Sequence, residues 1–121
     1  MSQFHLKIED LPFLSIMNAK IDMNGAEVEV IMGHEKHDIP MFSVNMIFFD
    51  KRDGEWLVHV EFYAPGYVYL YPVLEERVKF YLVEIFGQIL DEYIEATNPI
   101  IDVNESFREE IRQDLAGLVL M

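Results

Sequence analysis

Ile47-Phe48-Phe49-Asp50-Lys51-Arg52-Asp53-Gly54-Glu55-Trp56-Leu57-Val58-His59-Val60-Glu61-Phe62-Tyr63 decides the fold class of this chain. Asp53-Gly54 is a hairpin dipeptide that accepts the positive φ of a tight two-residue turn. After it, Trp56, Val58, Val60 and Phe62 interleave with His59, Glu61 and Tyr63, the period-two pattern of a half-buried strand with one polar face. Before it, Val44, Ile47, Phe48 and Phe49 supply the partner strand, so strands are predicted over Phe42–Asp50 and Glu55–Tyr63. Upstream, Asn24-Gly25 separates Ile16–Met23 from Ala26–Met32, and Glu27-Val28-Glu29-Val30 alternates in the same way, which predicts a second hairpin. Downstream, Ala64-Pro65-Gly66 breaks the chain, and Tyr67-Val68-Tyr69-Leu70-Tyr71 reads as one more short extended stretch before Pro72.

From Leu74 the period changes to that of a helix, which is expected to run to about Ala96. Glu75 and Glu76 sit in its first turn, at the positive end of the helix dipole. Arg77, Glu84, Gln88, Asp91 and Glu95 form one narrow polar stripe. Val78, Leu82, Val83, Ile85, Phe86, Ile89, Leu90 and Tyr93 fill most of the remaining circumference. So wide an apolar face needs cover on more than one side, from the sheet and from a second helix or second subunit. Gly87, unfavourable by about 1 kcal/mol relative to Ala in a helix interior, reads as a place of close approach. Thr97-Asn98-Pro99 ends the helix. Asn104 is the expected N-cap of a last helix reaching about Leu115, with Phe107, Ile111 and Leu115 as its apolar stripe. Gly117 stops it, and Leu118-Val119-Leu120-Met121 forms an apolar tail that is expected to dock. The prediction is a single α+β domain over residues 1–121: an antiparallel sheet of about four strands in hairpins, followed by a long helix and a shorter C-terminal helix packed on one face.

Composition limits what such a domain can do. The chain is 51% hydrophobic yet carries a formal net charge of -13, so the charge coats a folded core rather than solvating a disordered tail. Residues 61–121 carry a net -8 against -5 for residues 1–60, which places a basic partner on the C-terminal side. Such a surface repels nucleic acid and anionic lipid and attracts basic protein surfaces. Cysteine is absent, which fits a reducing compartment. The first ten residues lack a basic-then-apolar leader pattern, and Ala64–Leu74, the longest uncharged run, is far short of the roughly 20 residues of a membrane span. A cytoplasmic protein is expected, with no contact to membrane or nucleic acid.

Catalytic signals are sparse. Ser2, Ser15, Ser43 and Ser106 lie outside any Gly-x-Ser-x-Gly elbow, and the six glycines build no phosphate loop. His34-Glu35-Lys36-His37 brings metal-binding residue types together, with Asp38 nearby. The spacing and predicted loop are not those of the helical His-Glu-x-x-His zinc motif, so the stretch reads as a polar strand connection. Asp50–Glu55 lacks the acidic alternation of a calcium loop. Asp91, Glu92 and Glu95 have no histidine at matching spacing and read as a solvated face. No enzyme activity, cofactor or metal is expected.

Aromatic residues are in surplus. Phe48, Phe49, Trp56, Phe62, Tyr63, Tyr67, Tyr69 and Tyr71 crowd two strands and the stretch after them, and alternation sends them to both sheet faces. One small core cannot use all of them, so part of the set is expected in a dimer interface or in an exposed groove for apolar polypeptide. Seven methionines, flexible and polarisable, suit such a surface.

Residues 42–115 resemble the SecB export-chaperone family. The resemblance rests on the strand pair Val44–Phe62, the small-Gly-aromatic exit Ala64-Pro65-Gly66-Tyr67-Val68-Tyr69-Leu70, the helix-opening Tyr71-Pro72-Val73-Leu74-Glu75-Glu76-Arg77, and the loop Asn98-Pro99-Ile100-Ile101-Asp102-Val103-Asn104-Glu105-Ser106-Phe107. It implies four antiparallel strands, a long helix and a shorter one, assembly into a dimer or tetramer, and ATP-independent holding of non-native clients. Phe48, Trp56, Phe62, Tyr63, Tyr67, Tyr69 and Tyr71 would line the client grooves. The charge points to a second reading, a small acidic inhibitor such as a toxin immunity protein or nucleic-acid mimic. It would block a basic partner with Glu84, Asp91, Glu92, Glu95, Glu105, Glu109, Glu110 and Asp114.

Overall fold

A computed structural model of the chain describes residues 3–22, 26–95 and 102–119, with backbone alone for 93–95 and 118–119. The elements are β1 (Phe4–Leu6), a 3-10 helix (Ile8–Phe13), β2 (Leu14–Asp22), β3 (Glu27–His34), β4 (His37–Arg52), β5 (Glu55–Tyr63), β6 (Val68–Leu70), α1 (Pro72–Glu95) and α2 (Val103–Val119). Strands β2-β3-β4-β5 form an antiparallel meander, and β1 pairs with β6 in a separate parallel pair. The α+β architecture, sheet first and two helices after, is the one that the sequence predicts.

At the β4–β5 turn, φ is +53° at Asp53 and +81° at Gly54, the two consecutive left-handed residues of a type I′ turn. The turn fixes the register Val44↔Phe62, Met46↔Val60 and Phe48↔Val58 on the inner face, and Ser43↔Tyr63, Asn45↔Glu61 and Ile47↔His59 on the outer one. A bulge between Phe48 and Asp50 leaves Phe49 unpaired and exposed. Asn24-Gly25 lies outside the described residues, and Asp22↔Glu27 is the last β2–β3 pair before it.

The inner face carries Val28, Val30, Met32, Phe42, Val44, Met46 and Phe48, all buried. Onto them pack Leu74, Val78, Tyr81, Leu82, Ile85, Phe86, Ile89 and Leu90 of α1 and Phe107 and Ile111 of α2. The wide apolar face of α1 is thus covered by the sheet and by α2 of the same chain, with Tyr81 and Phe107 edge to face at 6.0 Å. The helix opens on Pro72, two residues earlier than predicted, at a position where a missing N–H costs no hydrogen bond.

The predicted cap of the last helix is corrected. Asp102 caps α2, accepting the Glu105 amide at 3.0 Å. Asn104 lies two residues further in and reaches across to β2. Its Oδ1 accepts from the Ile16 amide at 2.6 Å, and its Nδ2 donates to the Ile16 carbonyl at 3.0 Å. Ile16 stands at the β2 bulge between Ile16 and Asn18, so a side-chain amide satisfies main-chain groups that an edge strand would leave open. The 3-10 helix is anchored similarly: Asp10 Oδ2 accepts the Lys7 amide at 2.8 Å, and Oδ1 lies 3.3 Å from Nε2 of the buried His34.

Asn104→Ala strips both bonds from a part-buried strand edge, at an expected cost of about 1–3 kcal/mol. Urea denaturation should show a lower midpoint at unchanged slope. Asn104→Asp should be no better, because its carboxylate would face the Ile16 carbonyl without a proton to donate.

Candidate functional site

Three surfaces gather the predicted residues, and they do not coincide. The first is an aromatic row at the β1–β6 pair. In β6 the period of two sends Val68 and Leu70 into the core and Tyr67, Tyr69 and Tyr71 outward, with Tyr67 and Tyr69 each 42% exposed. Parallel β1 sets His5 beside Tyr69, ring centroids 5.6 Å apart, and Phe4 6.3 Å from Tyr67. Tyr69 and Tyr71 meet edge to face at 5.0 Å, and the Tyr71 hydroxyl lies 3.4 Å from His5 Nδ1. The row continues through Phe4 to His37 at 5.1 Å. These contacts fix the rings without hiding them.

The second surface is an open groove of about 570 Å³ between the start of β5 and the flank of α1. Trp56 and Gly87 lie at its floor, Phe80 and Val83 form its wall, and Glu55, Glu76, Lys79, Glu84, Gln88 and Asp91 complete the lining. A Cβ on Gly87 would stand 3.1 Å from Trp56 Cδ1, so the glycine lets the helix settle on the indole edge. The Trp56 Nε1–H donates to Asp91 Oδ1 at 3.1 Å, and Lys51 Nζ binds the same oxygen at 2.7 Å. Phe80, 62% exposed, is a large apolar side chain on the side of α1 that carries the polar stripe.

The third surface is acidic. Glu84 of α1 faces Glu110 of α2. Partial burial pushes the Glu110 carboxyl above the ordinary carboxylate range, and the charges of Glu84 and Glu109 push it the same way. Asp114 is instead satisfied by Arg77 Nη1, at 3.0 and 3.1 Å to its two oxygens. Glu92 and Glu105 are exposed apart from this cluster, and Asp91 belongs to the groove. The side chain of Glu95 lies outside the described residues. The seven acidic positions with described side chains therefore fall into separate groups, with Glu84 standing between the groove and the Glu110 cluster.

The seven aromatic positions also divide. Phe48 is 3% exposed and belongs to the core, so it is not available to a ligand. Phe62 is half-buried on the inner face, 6.2 Å from Phe42. Tyr63 stands on the outer face, where its hydroxyl donates to Glu61. That bond and His59 at 3.0 Å hold the Glu61 carboxyl below its ordinary range. Phe4, His5 and Phe80 were not singled out from the sequence. For Phe80 a signal existed, a phenylalanine three residues after Arg77 and four before Glu84 on one helical stripe. For Phe4 and His5 none did, because their site depends on a strand pairing across more than sixty residues.

His34 is buried in the β3–β4 connection rather than on a polar loop. Its Nδ1 accepts the Lys36 amide at 3.1 Å, which leaves the proton on Nε2, facing Asp10. Phe13 stacks on the ring at 5.5 Å and Lys36 lies 4.1 Å over Phe13. Both nitrogens are engaged, and among the described residues no three metal-ligating side chains converge. No helix among the described residues is long and apolar enough to cross a membrane. Comparison with protein-family models, curated proteins and solved structures finds no match to this chain.

Gly87→Leu should drive Trp56 out of its seat. Since this is the only tryptophan, the expected result is red-shifted emission with a stability loss of about 1–3 kcal/mol. Glu110→Gln should act oppositely at neutral pH. A carboxyl whose folded pKa is raised disfavours folding once pH climbs above its unfolded value, so removing the charge stabilises there. The gain should vanish below about pH 4, and thermal unfolding of both proteins across pH reads it out.

Proposed function

We propose that this protein binds other polypeptides in the cytoplasm, holding non-native or aggregation-prone segments on exposed aromatic side chains without nucleotide, in the manner of a SecB-like chaperone. The observation that carries the reading is the row Phe4, His5, Tyr67, Tyr69 and Tyr71. Its rings are fixed by mutual contacts yet remain open to solvent. Tyrosine suits this task because it offers a rigid apolar face at low entropic cost and a hydroxyl that tolerates water when no client is bound. The order of sheet, long helix and shorter helix supports the same reading, as does the absence of cysteine. Assembly into a dimer or tetramer would multiply the rows available to one client.

A second reading keeps a specific observation, the Glu84, Glu109 and Glu110 cluster, in which like charges are held together across α1 and α2. A basic partner would relieve that repulsion, as an acidic inhibitor of a toxin or nucleic-acid-binding protein requires. The two readings differ in salt dependence. Binding on the acidic cluster weakens steeply with ionic strength, whereas binding on the aromatic row does not.

The test is light scattering from a chemically denatured client diluted into buffer without ATP. The intact protein should delay aggregation, at low and high salt alike, and the double variant Tyr67→Ser/Tyr69→Ser should have lost most of that effect with its fold unchanged. No delay with any client would overturn the reading. A delay only at low salt that survives the double variant would transfer the function to the acidic cluster.

A further inference from the structure

The two edges of the four-stranded sheet are treated differently. The β2 edge is blocked at its bulge, where the Asn104 amide occupies the Ile16 N–H and C=O. The β5 edge is open. Its nine residues pair with β4 on one side, and among the described residues no hydrogen bond reaches the main chain on the other. Its inward side chains are unfinished as well. Val44, Met46 and Phe48 of β4 are fully buried, while their register partners Phe62, Val60 and Val58 of β5 are only half covered. Beside this edge lies the groove, with Phe80 exposed and Val83 partly buried on the α1 flank. One additional strand along β5 would pair the open main-chain groups, complete the cover of Val58, Val60 and Phe62, and direct every second side chain towards α1.

Charge decides what that strand is. The groove is lined by Glu55, Glu76 and Glu84, and by Asp91, which Lys51 already pairs at 2.7 Å, against the single lining cation Lys79, and the outer face of β5 adds Glu61. A second copy of a chain with net charge -13 is a poor occupant. We propose that β5 accepts, as a fifth strand, an extended segment of a partner polypeptide with apolar side chains at every second position and Lys or Arg between or beside them. The inference rests on the reading of this protein as a polypeptide binder but uses a surface separate from the tyrosine row.

The probe is a synthetic nine-residue peptide of alternating valine and lysine, titrated while Trp56 emission at the groove floor is followed. Two further peptides carry N-methyl groups on the valine or on the lysine amides, which removes the donors from one strand edge at a time. The parent should bind, its affinity should fall with salt, and the β5 amides should gain protection from hydrogen exchange. One of the two methylated peptides should bind at least about tenfold more weakly, the effect of losing two or more ladder bonds. A valine–glutamate peptide should not bind. Phe80→Ala, a change at an exposed position, should weaken the parent, whereas Tyr67→Ser/Tyr69→Ser should leave its binding intact. Equal binding of all three valine–lysine peptides, no binding of the parent, or a stable dimer of the protein formed through β5 would each overturn the proposal. Because the double tyrosine variant separates the surfaces, loss of client holding with peptide binding retained leaves the fifth-strand site standing.

Discussion

The contact between Gly87 and Trp56 sets the position of everything on the working side of the molecule. A Cβ at position 87 would stand 3.1 Å from the indole, so glycine lets α1 lie this close to the sheet at the β4–β5 hairpin without displacing Trp56. Trp56 also packs edge to face on Phe48 at 5.8 Å and ties its N–H to Asp91, which couples sheet core, helix and groove floor through one side chain. The glycine weakens an isolated helix by about 1 kcal/mol, and close packing of a large aromatic offsets that loss. With α1 set there, Leu82, Phe86 and Ile89 reach the core and Val83 packs against its rim, while Phe80 is left facing outward beside β5.

That position of α1 makes the sheet asymmetric. α2 packs near β2, where Asn104 satisfies the Ile16 main-chain groups. α1 covers the inner face towards β5 but stops short of the edge. An exposed strand edge is normally blunted because it recruits other chains. Here β5 carries Glu55 and Glu61, charges that discourage pairing between copies of an acidic protein while leaving the edge available to a basic one.

Much of the scaffold was legible from local pattern. Asp53-Gly54 with alternating flanks forms the predicted hairpin, and the apolar periodicity after Pro72 forms the long helix, because turn chemistry and burial act there over a few residues. What was not legible depended on distance in sequence. The β1–β6 pairing joins three-residue strands from opposite halves, and Phe4 and His5 acquire their role only through it. Asn104 satisfies every rule for an N-cap, yet it is the second residue of α2, because Asp102 captures the Glu105 amide and Ile16 of β2 offers the Asn104 side chain both a main-chain donor and a main-chain acceptor. Phe48 reads as surplus aromatic until the bulge at Phe49 assigns one ring to the core and the other to solvent.

The charge distribution then gains a structural meaning that composition alone lacked. Where carboxylates meet cations between elements, as Asp114 meets Arg77 and Asp91 meets Lys51, part-exposed pairs link helix to helix and helix to sheet. Where Glu84 and Glu110 face each other, partial burial and then the charges of Glu84 and Glu109 raise the Glu110 carboxyl above its ordinary range, while Glu109 itself is paired with Arg112 at 3.1 Å. Glu110 stays partly open to water, so the penalty is modest, and a marginally stable domain can carry it. Glu84 belongs both to that cluster and to the groove lining. A cation delivered to the groove by a bound strand would therefore lower the repulsion within the cluster too, and the affinity of the groove and the stability of the α1–α2 contact would rise together through one carboxylate.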